Sequence, residues 1–140
     1  MTLQIVSIDL DLARRVLEGA EREAARRSVA LAVTVTDPAG AIVAAGRMDG
    51  ANDVAFQLAH DKAFTAAAFG APSHAWAEAT APGGADWGMA GSARGRILVL
   101  PGGVPLRLGG ALIGALGVSG AAPVVDLACA EAGARVLEDN

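Results

Sequence analysis

"RILVLPGGVPLRLGGALIGALGVSG", residues 96–120, decides how this chain folds. The runs 96–100 and 111–118 are apolar and bounded by turn residues, so both read as strands, and 104–108 reads as an additional short strand between them. Gly109-Gly110 supplies a tight turn. Gly102 and Gly103 fall inside the apolar region, where missing side chains suit close approach of the backbone to a ligand, to another subunit or to a turn.

Working outward, residues 30–36 and 41–47 read as two more strands joined by Asp37, Pro38, Ala39 and Gly40, a hairpin junction. Val33 and Val35 alternate with Thr34 and Thr36, so one face of that strand is expected to be the more buried. Leu12, Ala13, Val16, Leu17, Ala20 and Ala24 recur at helical spacing between Ser7 and Val29. A second helix is expected from a cap at Asn52 or Asp53 to Phe69, closed by Gly70 and Pro72. Ser73 is a candidate cap for a short third helix through 74–79, and residues 80–95 read as a long loop. The last helix opens at Pro123, with Val125, Ala128, Cys129, Ala132 and Val136 on one stripe. Helix, strand pair, helices, strands and helix make one α+β domain over 1–140, an antiparallel sheet with helices packed on it.

Composition narrows the function. The chain is 53% hydrophobic but only 4% aromatic, so its apolar content is alanine and small aliphatics, which suit close packing. Its net charge of −4 and mixed signs leave no basic footprint for a nucleic acid. The lone Cys129 has no disulfide partner, and no run long enough for a membrane span or a signal peptide is visible, so a cytoplasmic protein is expected.

Lys62 shares a helical stripe with Leu58, Thr65 and Phe69. Either its stem covers the core while the ammonium reaches water, or it lines a pocket as an anion ligand or as a base with a lowered pKa. Arg47 and Asp49 leave the second strand, where a guanidinium can clamp a carboxylate, or where the two pair to fix the turn. His60 is a candidate haem ligand or a surface histidine, and the spacing of His60 and His74 gives no zinc motif. Ser119 lacks a nucleophile motif; with Gly120 it offers backbone amides near the last helix, a candidate anion site.

Several stretches together resemble the GlcG/HbpS-like family, formerly a domain of unknown function that includes haem-binding proteins and the carboxy-terminal domain of some cobalamin adenosyltransferases. They are "VTVTDPAGAIVAAGRMDGA", "DKAFTAAAFG", "APGG", residues 96–120 and "DLACAEAGA". The resemblance implies a profilin-like α-β-α sandwich with a sheet of about five strands, assembled as a dimer or a larger, ring-like homo-oligomer. It implies a small-molecule ligand, haem or another tetrapyrrole or a small carboxylate, and no nucleic-acid or membrane partner. It carries Arg47 and Asp49 of RMDG, Lys62 and Thr65 of KAFTA, and Gly102, Gly103, Pro105 and Leu106 of PGGVPL into one expected pocket; His60 as haem ligand would be particular to this chain. Ligand binding is the leading expectation. The alternatives are a cofactor-independent enzyme using Arg47 as clamp, Lys62 as acid or base and the Gly102 and Gly103 amides for an oxyanion, and an accessory structural oligomer.

Overall fold

The computed structural model describes Met1–Asp139. Helix α1 (Leu10–Arg26) starts where Asp9 accepts a hydrogen bond from Leu12 N at 2.8 Å, and it buries Leu12, Ala13, Val16, Ala20 and Ala24. Strands β1 (Ala32–Thr36) and β2 (Ile42–Arg47) form the expected hairpin; Asp37 Oδ1 accepts from Ala39 N and Ala41 N at 2.9 and 3.0 Å, closing the turn. Helix α2 (Ala55–Phe69) ends at Gly70 in a left-handed conformation. A 3-10 turn (Ser73–Trp76), α3 (Ala77–Thr80) and the four-residue turn α4 (Ser92–Gly95) lead to β3 (Gly103–Leu108) and β4 (Ala111–Ser119). Helix α5 (Pro123–Ala134) and a 3-10 turn (Arg135–Asp139) finish the described chain.

The sheet is antiparallel with strand order β2-β1-β4-β3. Helices α1 and α5 pack together on one face and α2 lies on the other, so the expected α-β-α arrangement stands. Val33, Val35, Leu106, Leu116 and Val118 meet Val16, Ala20 and Cys129 in the larger core. The α2 side is thinner: Ala63, Ala66 and Ala67 meet Ala115, while Ala55 and Ala59 meet Ala32. Gly117 makes this approach possible, since a Cβ there would collide with Ala59 O.

Four expectations need correction. The described sheet has four strands, not about five: residues 97–99 form no ladder, because Leu98 N is spent on Thr65 Oγ1 at 2.9 Å, and the short strand at 104–108 is the one that pairs with β4. All five residues of β1 are buried, because α2 covers the threonine face; the Thr34 and Thr36 hydroxyls have no hydrogen-bond partner among the described residues. Val54 precedes α2 without a side-chain cap, and neither Asn52 nor Asp53 plays that part. The fully buried stripe of α5 is Asp126, Cys129, Ala130 and Gly133, which shares only Cys129 with the expected one, while Val125 and Val136 pack half-buried against the same core. Among the described residues no helix is long and apolar enough to cross a membrane.

Candidate functional site

Lys62 leaves the middle of α2 and passes under the entry to β3. Its Nζ donates to Val118 O at 3.0 Å and to Asp126 Oδ2 at 3.1 Å, and both charged side chains are only 3% exposed. Burial pushes the Lys62 pKa below the ordinary lysine value, with Asp126 pulling it back; burial pushes Asp126 up, with Lys62 and the Ala121 and Gly120 amides pulling it down. The pair is neutral as a unit, which is the condition for holding two ionisable groups so deep.

Asp126 lies in the first turn of α5, and its Oδ1 accepts from Ala121 N at 2.9 Å. The amides beyond Ser119 are therefore an anion site, and the anion is the chain's own carboxylate. Sequence reading missed this partner because an acidic residue in a first turn is explained by the helix dipole alone. The usable signal was its place at the head of the 126, 129, 130, 133 stripe of otherwise small residues.

Gly102 and Gly103 answer the question their position raised. A Cβ on Gly102 would come within 3.0 Å of Lys62 Cδ and Nζ, and its φ of +130° further favours glycine. One on Gly103 would collide with the Lys62 carbonyl. The close approach is to the Lys62 segment itself. Gly103 N donates to Ser73 Oγ at 3.0 Å and Gly102 O accepts from Val118 N at 2.9 Å, so Gly103 N is not a free oxyanion donor. Ser73, expected as a helix cap, instead ties Leu100 O to the start of β3.

The other expected residues divide. Thr65, one turn beyond Lys62, has Oγ1 at 2.8 Å from Asp61 O and 3.1 Å from Arg96 O while accepting from Leu98 N, so it fixes the segment entering Gly102. Leu106 points into the α1/α5 core, and Pro105 borders a surface cavity of about 320 Å³ with Arg107 and Ala134. Arg47 pairs with Asp53 at 3.1 Å rather than with Asp49. His60 Nε2 lies 3.0 Å from Gly40 O and 3.0 Å from an Arg96 guanidinium nitrogen. One ring nitrogen donates or accepts, so it serves one of these at a time. Arg96, which sequence reading passed over, also stacks 3.8 Å above the Phe64 ring and reaches Asp61 Oδ1 at 3.4 Å.

Strand register gathers part of the expected set at one end of the sheet. Arg47 pairs with Ala32, Ala32 pairs with Ser119, and Gly103 pairs with Gly117, so Arg47, Ser119-Gly120 and the Leu100–Gly102 approach share that end. Val54, beside the Ala55 that packs on Ala32, is exposed there, as are Leu100 and Val124. Arg47 is half exposed and its partner Asp53 fully so, which makes that carboxylate replaceable by another. His60 faces the hairpin turn, away from this end.

Comparison with known proteins follows the same outline. The family model described as "Haem degrading protein HbpS-like" matches residues 8–135. A 15.0 kDa protein from the dhaT-dhaS intergenic region of Citrobacter freundii is 32% identical over 128 residues, 91% of this chain and 90% of that protein. The crystal structure of Klebsiella pneumoniae protein ORFY superposes with a TM-score of 0.96 at 27% identity, over 99% of this chain and 96% of that one. A crystal structure of PduOC in complex with haem superposes with a TM-score of 0.87 at 29% identity, over 92% of this chain and 94% of that one.

Proposed function

This chain belongs to the HbpS-like family, and from that premise we propose that it is a homo-oligomeric binding protein for haem or another small ligand that joins an apolar body to carboxylates. The binding surface is the sheet end that carries Arg47, with Asp49 and Thr65 as supporting residues and Lys62, Gly102 and Gly103 as its rigid floor. The observation that carries this reading is the state of Lys62: its ammonium is buried, bonded twice and pinned under two glycines.

A lysine so engaged supports a surface rather than shuttling protons. The acid–base alternative needs Lys62 freed from both Val118 O and Asp126, at the cost of exposing a buried carboxylate. The likeness to a haem complex of PduOC supports haem as the ligand to test first.

The residues present fit the ligand's periphery. Val54, Leu100 and Val124 offer exposed apolar contact, and the Arg47 guanidinium can exchange Asp53 for a propionate. His60 can reach an iron through Nε2 only by giving up whichever of Gly40 O and Arg96 it serves.

Titration with haemin, followed by absorption and by native mass spectrometry, tests the reading. One haem per protomer and a Soret shift are expected, weakened about tenfold by Arg47→Ala, the order expected for loss of one charge-assisted contact. No spectral change and no retained mass at stoichiometric haemin would leave the haem version without support.

A further inference from the structure

On the other side of the sheet, α1 and the turn after α5 enclose a second cavity, of about 280 Å³. Its wall includes Arg22 and Arg26, one turn apart on α1, and Arg135 from the opposite side. Three arginines thus border one small space in a chain of net charge −4, and one of them, Arg26, is already paired with Glu23.

Like charges four residues apart on a helix repel, and a third across the groove adds to the cost. Two carboxylates border the cavity, Glu23 and Asp139. Glu23 is shared: Arg26 donates to both of its oxygens and Arg27 Nε donates to Oε2 at 2.7 Å, which keeps its pKa at about 2. Neither the Arg22 nor the Arg135 side chain has a hydrogen bond or ion pair among the described residues. Three arginines and two carboxylates line the cavity, so it holds more positive charge than its own acids neutralise.

We propose that this cavity is a second binding site, for a small phosphate-bearing dianion. Arg22 on one wall and Arg135 on the other can bring guanidinium forks to a tetrahedral group with several acceptor oxygens from both sides, whereas a planar carboxylate is satisfied by one fork. Close packing of α1 on α5 sets the width, since a Cβ at Gly19 would press on Val136 at 2.8 Å and on Gly133 at 3.2 Å. The site is independent of the surface proposed for the main ligand: Asp126 opens α5 and Arg135 follows its end, about 14 Å farther along the helix axis.

Calorimetric titration of the purified full chain with inorganic phosphate, a phosphate monoester and malonate, at low salt and at 0.15 M salt on the order of the cell's, tests it. Saturable binding of one phosphate or monoester per protomer, persisting at the higher salt and weakened at least about tenfold in Arg22→Ala/Arg135→Ala, is the expected result. Arg22→Lys/Arg135→Lys, which keeps the charge but loses the forks, should weaken it as well. Absence of saturable binding, equal affinity for malonate, or indifference to the double substitutions each overturns the proposal. The haemin titration is unaffected in either case, so failure here is distinct from failure of the main reading.

Discussion

Replacing Lys62 by methionine tests the floor of the candidate site most directly. The methionine keeps the stem that fills the space beneath Gly102, so the change removes one charge and little volume. It leaves Asp126, 3% exposed, with its amide bonds but no ammonium. Breaking a buried pair from one side costs about 3–5 kcal/mol, a large part of the roughly 7–20 kcal/mol expected for a chain of this size. At about 2–4 °C per kcal/mol the melting temperature should fall by roughly 6–20 °C, read at fixed protein concentration.

The pH dependence gives the sign. In Lys62→Met the folded pKa of Asp126 lies further above its unfolded value, so folding takes up a proton. That contribution is complete below the ordinary carboxylate pKa of about 3.9 and is lost as pH rises through the folded value, by at most about 1.4 kcal/mol per unit. The variant should therefore recover stability on acidification from about pH 8 to about pH 5, relative to wild type. Asp126→Leu leaves Lys62 alone with a lowered pKa and should show the opposite slope, gaining stability as pH rises. The double variant Lys62→Met/Asp126→Leu should return to within about 2 kcal/mol of wild type. Denaturant unfolding at the two pH values measures all of this, and the reasoning fails if Lys62→Met is as stable as wild type at pH 8 or if the two single variants share a slope.

Other outcomes are as specific. Gly103→Ala drives a Cβ into the Lys62 backbone, and a loss of at least about 3 kcal/mol, or failure to accumulate folded protein, is expected by denaturant unfolding. Thr65→Val removes the acceptor of Leu98 N and should cost about 1–3 kcal/mol, with faster amide exchange confined to residues 96–100; unchanged exchange there would refute the anchoring role. His60→Ala should leave the haemin Soret shift in place while loosening the hairpin turn and Arg96; loss of the shift would make His60 the iron ligand.

Much of this architecture is written in local pattern. The α1 stripe, the Asp37–Gly40 hairpin and the end of α2 at Gly70 were legible because each depends on residues adjacent in sequence. "RILVL" resembles a strand for the same reason: its apolar run fits a ladder, but the partner that claims Leu98 N is a threonine hydroxyl 33 residues away. The site was half legible. Lys62 stood out as a cation on an apolar stripe, yet the carboxylate that explains it lies 64 residues on and resembles a helix-dipole acid. Arg47 and Asp49 suggested a pair that the bend after β2 gives to Asp53 instead, a choice no spacing rule encodes.

The alanine and glycine seam between α2 and the sheet has a consequence for how this protein can change. On the α1/α5 side, leucines, valines and isoleucines interlock, and one can shrink while a neighbour grows. On the α2 side, apart from Thr34 and Thr36, there is little to shrink, because Ala59, Ala63 and Ala66 already rest on Ala32, Ala115 and Gly117. Any added methyl must lift the whole helix, and with it the ammonium that reaches Val118. Divergent copies of this chain should therefore vary their larger core freely and keep the thin seam nearly letter for letter, which a deep mutational scan would display as one tolerant and one intolerant layer.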